Sequence, residues 1–198
     1  MKKRIQKLVC LLLLAINMVS YASHSYVPST KKTPTIVSFN NVKKGHQLII
    51  KDANLLILYK ESIQKNGDYS KGFDLTSLPD GTYYFELDKD VEICVIPFTV
   101  NANQVTFEKE KETIIYKPTV RLDGRYLYVS RLSLDTQPLK VELHYRESSQ
   151  YEKTLLFSEE IKNKKIFERI YELSKEKKGE YILLFKSQGR EFINKLTY

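Results

Sequence analysis

The chain has 198 residues, 32 Lys and Arg against 24 Asp and Glu, a formal charge of +8, two Cys and no Trp. That length suits one large domain or two small ones. The basic excess does not imply nucleic acid: Lys2, Lys3, Arg4 and Lys7 fall in an N-terminal leader, and the remainder carries only +4. With Cys10 in the leader, Cys94 stands alone, which excludes an intramolecular disulfide in the processed chain.

The leader reads MKKR, then LVCLLLLAINMV, then SYAS. A basic start, a short apolar core and small residues before a cut site predict a signal peptide over 1–22, cleaved after Ala22. Its apolar run, 8–19, is 12 residues long. A spanning helix needs about 20, so no membrane anchor is expected. No small residue precedes Cys10, which excludes a lipoprotein spelling. Residues 23–33 read as a loose N-terminal arm. The protein is therefore expected to be exported, to the periplasm, the cell surface or the medium.

From 34 to 100 the pattern is that of short strands. In LLILYKES, Leu55, Ile57 and Tyr59 alternate with Leu56, Leu58 and Lys60, and in TYYFEL, Tyr83 and Phe85 alternate with Tyr84 and Glu86. Leu56, Leu58 and Tyr84 then point outward. If those two strands are neighbours, the three residues form one exposed apolar patch, a candidate partner-binding face. Cys94, in VEICVIPFTV, reads as a buried small hydrophobe. ELDKDVE places four acids in a hairpin, which is not a rigid calcium loop. Residues 101–117, with FEKEKE, read as a solvated linker whose flanks extend neighbouring strands.

Residues 118–198 look like a second copy of 34–100. YKESIQ at 59–64 rhymes with YRESSQ at 145–150, 86 positions on, whereas FDLTSLPDGTYYFEL and YELSKEKKGEYILLF match 98 positions apart. These offsets imply a 12-residue insertion between the two blocks of the second copy. HQLIIKD is matched with RYLYVSR, and Pro34–Val37 with Pro118–Arg121. In EIKNKKIFERIYELSKEKKG, Ile166, Ile170 and Leu173 have helical spacing, but the match to the first copy favours a strand. In each copy a leucine, a turn, and Gly81-x-Tyr83 or Gly179-x-Tyr181 give the layout of a tyrosine corner. The fold class is therefore all-β, two tandem Ig-like antiparallel sandwiches.

The blocks DLTSLPDGTYYFEL and YELSKEKKGEYILLFKSQGREFINKLTY resemble the strand pair of small Ig-like domains in secreted Bacteroidota proteins, including the C-terminal sorting tail of type IX secretion. The chain from 34 to 198 is similar to short two-domain secreted proteins of flavobacteria. The resemblance implies the fold, and it implies a sorting signal in the second domain as one reading of function.

Catalytic signatures are missing. His24, His46 and His144 sit in no Ser/His/Asp or Cys/His context, and His144 is expected on a solvent face. No cofactor, zinc or phosphate-loop spacing is present. The sequence predicts a non-catalytic protein–protein interaction or structural module at the bacterial envelope. Carbohydrate binding through Tyr84, Tyr126 and Tyr128 is the other alternative.

Overall fold

The computed structural model describes residues 34–198, so the leader, the arm and His24 lie outside the described residues. Pro34–Tyr198 form one compact unit. Its regular elements are strands, apart from single 3-10 turns at Leu75–Ser77 and Lys109–Lys111. In chain order they are β1 (Thr35–Val42), β2 (Gln47–Asp52), β3 (Ile57–Ser62), β4 (Gly67–Phe73), β5 (Gly81–Asp88), β6 (Glu92–Asn101), β7 (Gln104–Phe107) and β8 (Thr113–Tyr116). There follow β9 (Thr119–Asp123), β10 (Tyr126–Leu132), β11 (Leu139–Glu147), β12 (Thr154–Ile161), β13 (Ile166–Glu172), β14 (Gly179–Ser187) and β15 (Arg190–Thr197). No helix among the described residues is long and apolar enough to cross a membrane.

The strands make four antiparallel sheets. In the first half β1-β4 faces β3-β2-β5-β6-β7, with β8 also paired to β6. In the second half β13-β10-β9 faces β12-β11-β14-β15. Alternation puts every second side chain between the layers. Val37, Phe39, Leu48, Ile50, Phe85 and Phe98 fill the first core. Leu127, Val129, Val141, Leu143, Leu183 and Phe185 fill the second. Phe85 stacks on Phe107 of β7, with ring centroids 6.0 Å apart. The stretch expected as a linker is therefore bound to the first sheet by its own aromatic residue, and β7 and β8 are both paired to β6.

The segment with helical spacing is strand β13, which pairs with β10 along seven positions from Tyr126↔Glu172 to Leu132↔Ile166. Pairing with β10 and burial of Phe167 outweigh the weak helical propensity of the segment.

The two rhyming hexamers are not equivalent in space. YKES closes β3, an edge strand, whereas YRE closes β11, which lies between β12 and β14. The sheet order instead gives β2 the place of β11 and β3 the place of β12. A β-bulge falls at the same place in both, between Ile50 and Lys51 and between Leu143 and His144. Ile50 pairs with Tyr59 and Phe85, and Leu143 pairs with Phe157 and Leu183. From β3 onward the two halves then run in step 98 positions apart: Tyr59 with Phe157, Glu61 with Glu159, Lys71 with Arg169, Leu75 with Leu173, Tyr83 with Tyr181. The 12-residue insertion disappears; the second half is instead longer in the connection before β12, at 148–153 against 53–56. By the same sheet order β1 corresponds to β10, not β9, and β2 to β11, not β10.

Candidate interaction surface

The two halves meet at a buried ion cluster. Glu86, on the outer face of β5, is 2% exposed. Lys51 Nζ of β2 lies 2.8 Å from its Oε2. Arg190, the first residue of β15, donates Nη1–H to Oε2 at 3.0 Å and Nη2–H to Oε1, a bidentate fork. Burial works to raise the Glu86 pKa, but the hydrogen bonds from Arg190 and Lys51 hold it below the ordinary carboxylate range. Arg190 reaches across because Gln188 and Gly189, both at positive φ, form a tight two-residue turn between β14 and β15. That turn packs against Leu55, whose Cδ1 lies 3.5 Å from the Cβ that a side chain at position 189 would carry. A cleft of about 470 Å³ runs along the joint, lined by Ile49, Asp88, Lys117 and Ile193 among others.

Leu56 and Leu58 are exposed, at 63% and 43%. The Asp52 carboxylate holds the turn before β3 by accepting from the backbone N–H of Asn54 and Leu56, each at 2.9 Å. Leu55 sits there at a φ of 66°, an unusual conformation for a bulky side chain. The ridge is therefore Leu55–Leu58, four consecutive exposed apolar residues. Tyr84 does not join it. β2 lies between β3 and β5, and Lys51 pairs with Ile57 on one side and Tyr84 on the other. The expected single patch fails because sequence alternation gives the face of a residue but not the order of the strands.

The corresponding edge strand of the second half carries Leu155, Leu156 and Phe157, also exposed. Each of these edges bears a carboxylate turned toward the opposing sheet. Glu61 accepts from Tyr59, Tyr69 and Lys71. Glu159 accepts from Arg169 at 3.2 Å and from Tyr171 at 3.0 Å. A bulge and an inward charge are both features that discourage strand addition to a free edge. Backbone strand addition at β3 and β12 is therefore disfavoured.

Gly81 and Gly179 open β5 and β14. Tyr83 Oη donates to the Pro79 carbonyl at 2.7 Å, and Tyr181 Oη to the Lys177 carbonyl at 2.9 Å, each four residues upstream. The two glycines differ in their surroundings. A Cβ on Gly179 would lie 2.5 Å from the Arg146 carbonyl oxygen, whereas one on Gly81 would meet only Tyr83, at 3.7 Å.

Tyr126 and Tyr128 share the outer face of the β13-β10-β9 sheet. Tyr128 stands between Arg121 and Ile170, and the Arg121 guanidinium lies 4.4 Å over its ring. A shallow trough of about 690 Å³ crosses this face between Thr119, Arg121, Tyr128, Ser130, Glu168 and Ile170. The counterparts of Tyr128 and Ile170 in the first half are Ile36 and Gly72.

His144 departs from the expectation of a solvent-facing residue. It is 9% exposed, beside Ile182 and Leu184, which are buried on the same outer face, and its Nε2 lies 3.1 Å from Glu142. Lys140 and His144 together hold the Glu142 carboxyl down at about 2. His46 is buried and its Nδ1 accepts from the Lys43 N–H at 3.1 Å. The acids of ELDKDVE each have a separate cation: Glu86 has Lys51 and Arg190, Asp88 has Lys117, Asp90 has Lys43, and Glu92 has Lys89. Among the described residues no group of three His, Cys, Asp or Glu is arranged to hold a metal ion. Cys94 is half-buried, and burial together with its hydrogen bond to Glu112 pushes the thiol up to about 12.

The sequence missed Arg190 as the partner of Glu86. The residues are 104 positions apart, and no local pattern links a glutamate in an apolar strand to an arginine after a turn. The chain matches no protein-family model and no curated protein.

Proposed function

We propose that the chain is an exported, non-catalytic protein–protein interaction or structural module of a bacterial cell envelope, built of two tandem Ig-like sandwiches that arose by internal duplication. The shared strand order, the shared bulge and the two upstream-bonded tyrosines, each in a tyrosine-corner arrangement, support the duplication. The observation that carries the functional reading is the Leu55–Leu58 ridge: contiguous exposed apolar side chains on a turn pinned by Asp52. Such a ridge enters a pocket on a partner, and the rigid turn limits the entropy lost on binding.

The test is the pair Leu56→Asp and Leu58→Asp with crosslinking in the native organism. Both side chains are exposed, so stability should stay within about 0.5 kcal/mol, and the specific crosslinked partner should disappear. Unchanged folding with an unchanged partner set would remove the ridge from the reading.

A second reading, carbohydrate binding, is favoured by the trough on the β13-β10-β9 face, which combines Tyr128 and Arg121 with hydroxyls from Thr119 and Ser130. Glycan-array binding that is lost in Tyr128→Ala would establish it; a flat array would end it.

A further inference from the structure

We propose that β15 pairs with β15 of a second copy of this chain, giving a two-fold symmetric dimer whose two four-stranded sheets run on as one. Three observations carry this. The first is a difference between the halves. Strand β6, which corresponds to β15, has its outer edge filled by β7 and β8 of the same chain. Among the described residues β15 pairs only with β14, leaving one edge with free backbone donors and acceptors.

The second is that this edge lacks the features that discourage pairing on β3 and β12. Strand β15 is eight residues long, contains no proline, and pairs with β14 without a register break from Ser187↔Arg190 to Glu180↔Thr197. Its side chains alternate. Phe192 and Leu196 pack on the core, while Glu191, Ile193 and Lys195 face out and are exposed, Ile193 at 57%.

The third is self-complementarity. Antiparallel pairing about Ile193 sets Ile193 against Ile193 of the second copy. Glu191 then stands opposite Lys195 of that copy, and Lys195 opposite its Glu191. Two opposite-charge pairs flank one apolar pair, as an isologous interface requires. Glu191 is available for this: its own cation, Lys186, lies 3.4 Å away and both groups are solvent-exposed. Arg190 remains on Glu86, so the ladder needed is only Glu191–Lys195. The edge from Glu191 to Asn194 borders the joint cleft, and it includes neither Leu56 nor Leu58.

The test is the molar mass of the purified chain by sedimentation equilibrium over a range of concentrations. The parent is expected at twice the chain mass at the upper end. Glu191→Lys and Lys195→Glu each place like charges opposite one another twice and should weaken the dimer about tenfold or more. The double variant E191K/K195E restores both pairs with reversed sign and should return to parental affinity. Leu56→Asp should leave the dimer unchanged. A parent that is monomeric throughout overturns the proposal. A dimer indifferent to the single reversals also overturns it, and so does a double variant as weak as the singles.

Discussion

Glu86→Ala tests the joint most directly. It removes the anion from a site where Lys51 and Arg190, each with only 14% of its side chain exposed, converge. Two cations are then left facing each other with little access to water. Breaking a buried pair by deleting one partner typically costs about 3–5 kcal/mol, because the remaining charge is desolvated without compensation. For a unit of this size each kcal/mol moves the midpoint by about 2–4 °C, so calorimetry should show a fall of about 6–20 °C. Arg190→Ala should cost less, since Lys51 remains at 2.8 Å from the carboxylate. The triple change K51M/E86L/R190M should recover most of the loss, because an apolar replacement of a whole buried cluster is often neutral or better. Glu86→Ala melting within about 1 °C of the parent would refute the reasoning, and so would a triple variant no better than the single. The same carboxylate predicts a pH dependence. Its folded pKa lies below its unfolded value, so its stabilisation is complete above the unfolded value and is lost as pH falls through the folded one. Acid melting of the parent should therefore outpace that of the triple variant.

Gly179→Ala should destabilise by about 1–3 kcal/mol, because the added carbon meets a backbone carbonyl that cannot move freely, while Gly81→Ala should stay within about 0.5 kcal/mol; urea titrations of the two variants check the contrast. Tyr83→Phe and Tyr181→Phe should each cost about 1 kcal/mol by losing one hydrogen bond to a carbonyl, and equal midpoints for Tyr181→Phe and parent would argue against a structural role for that phenol. Cys94, its thiol pushed up to about 12, should alkylate slowly at pH 8 when folded and quickly once unfolded, as mass spectrometry of iodoacetamide adducts would report.

The strands were legible because two-residue alternation is a local property, and the strand rather than helix at β13 was legible from the leucine–turn–tyrosine layout 98 positions earlier. The pairing of the halves was only partly legible. Tyr-Lys-Glu-Ser and Tyr-Arg-Glu-Ser are alike because both end an amphipathic strand with one core-side aromatic and a charged pair. Many strand ends satisfy that demand, so the likeness does not identify which strand is meant. The counterpart of Tyr59-Lys60-Glu61-Ser62 is Phe157-Ser158-Glu159-Glu160, a weaker match in letters but the same in bulge, edge position and inward carboxylate. Glu61 and Glu159 each meet a cation from the opposite sheet, Lys71 and Arg169, which is a match in space and not in sequence.

The same distinction bears on which differences between the halves carry function. At corresponding places on the outer sheet face Lys51 stands where His144 does, and Glu86 where Leu184 does. Those differences are explained by the joint, since Glu86 and Lys51 receive Arg190. The apolar run before the edge strand is not explained that way. Leu55 lies against the second half at Gly189, while Leu56 and Leu58 are exposed. Leu55 is held at positive φ in a turn that the Asp52 carboxylate pins. Under the proposed function, binding should depend on Leu56 and Leu58 and not on Tyr84, which β2 separates from them.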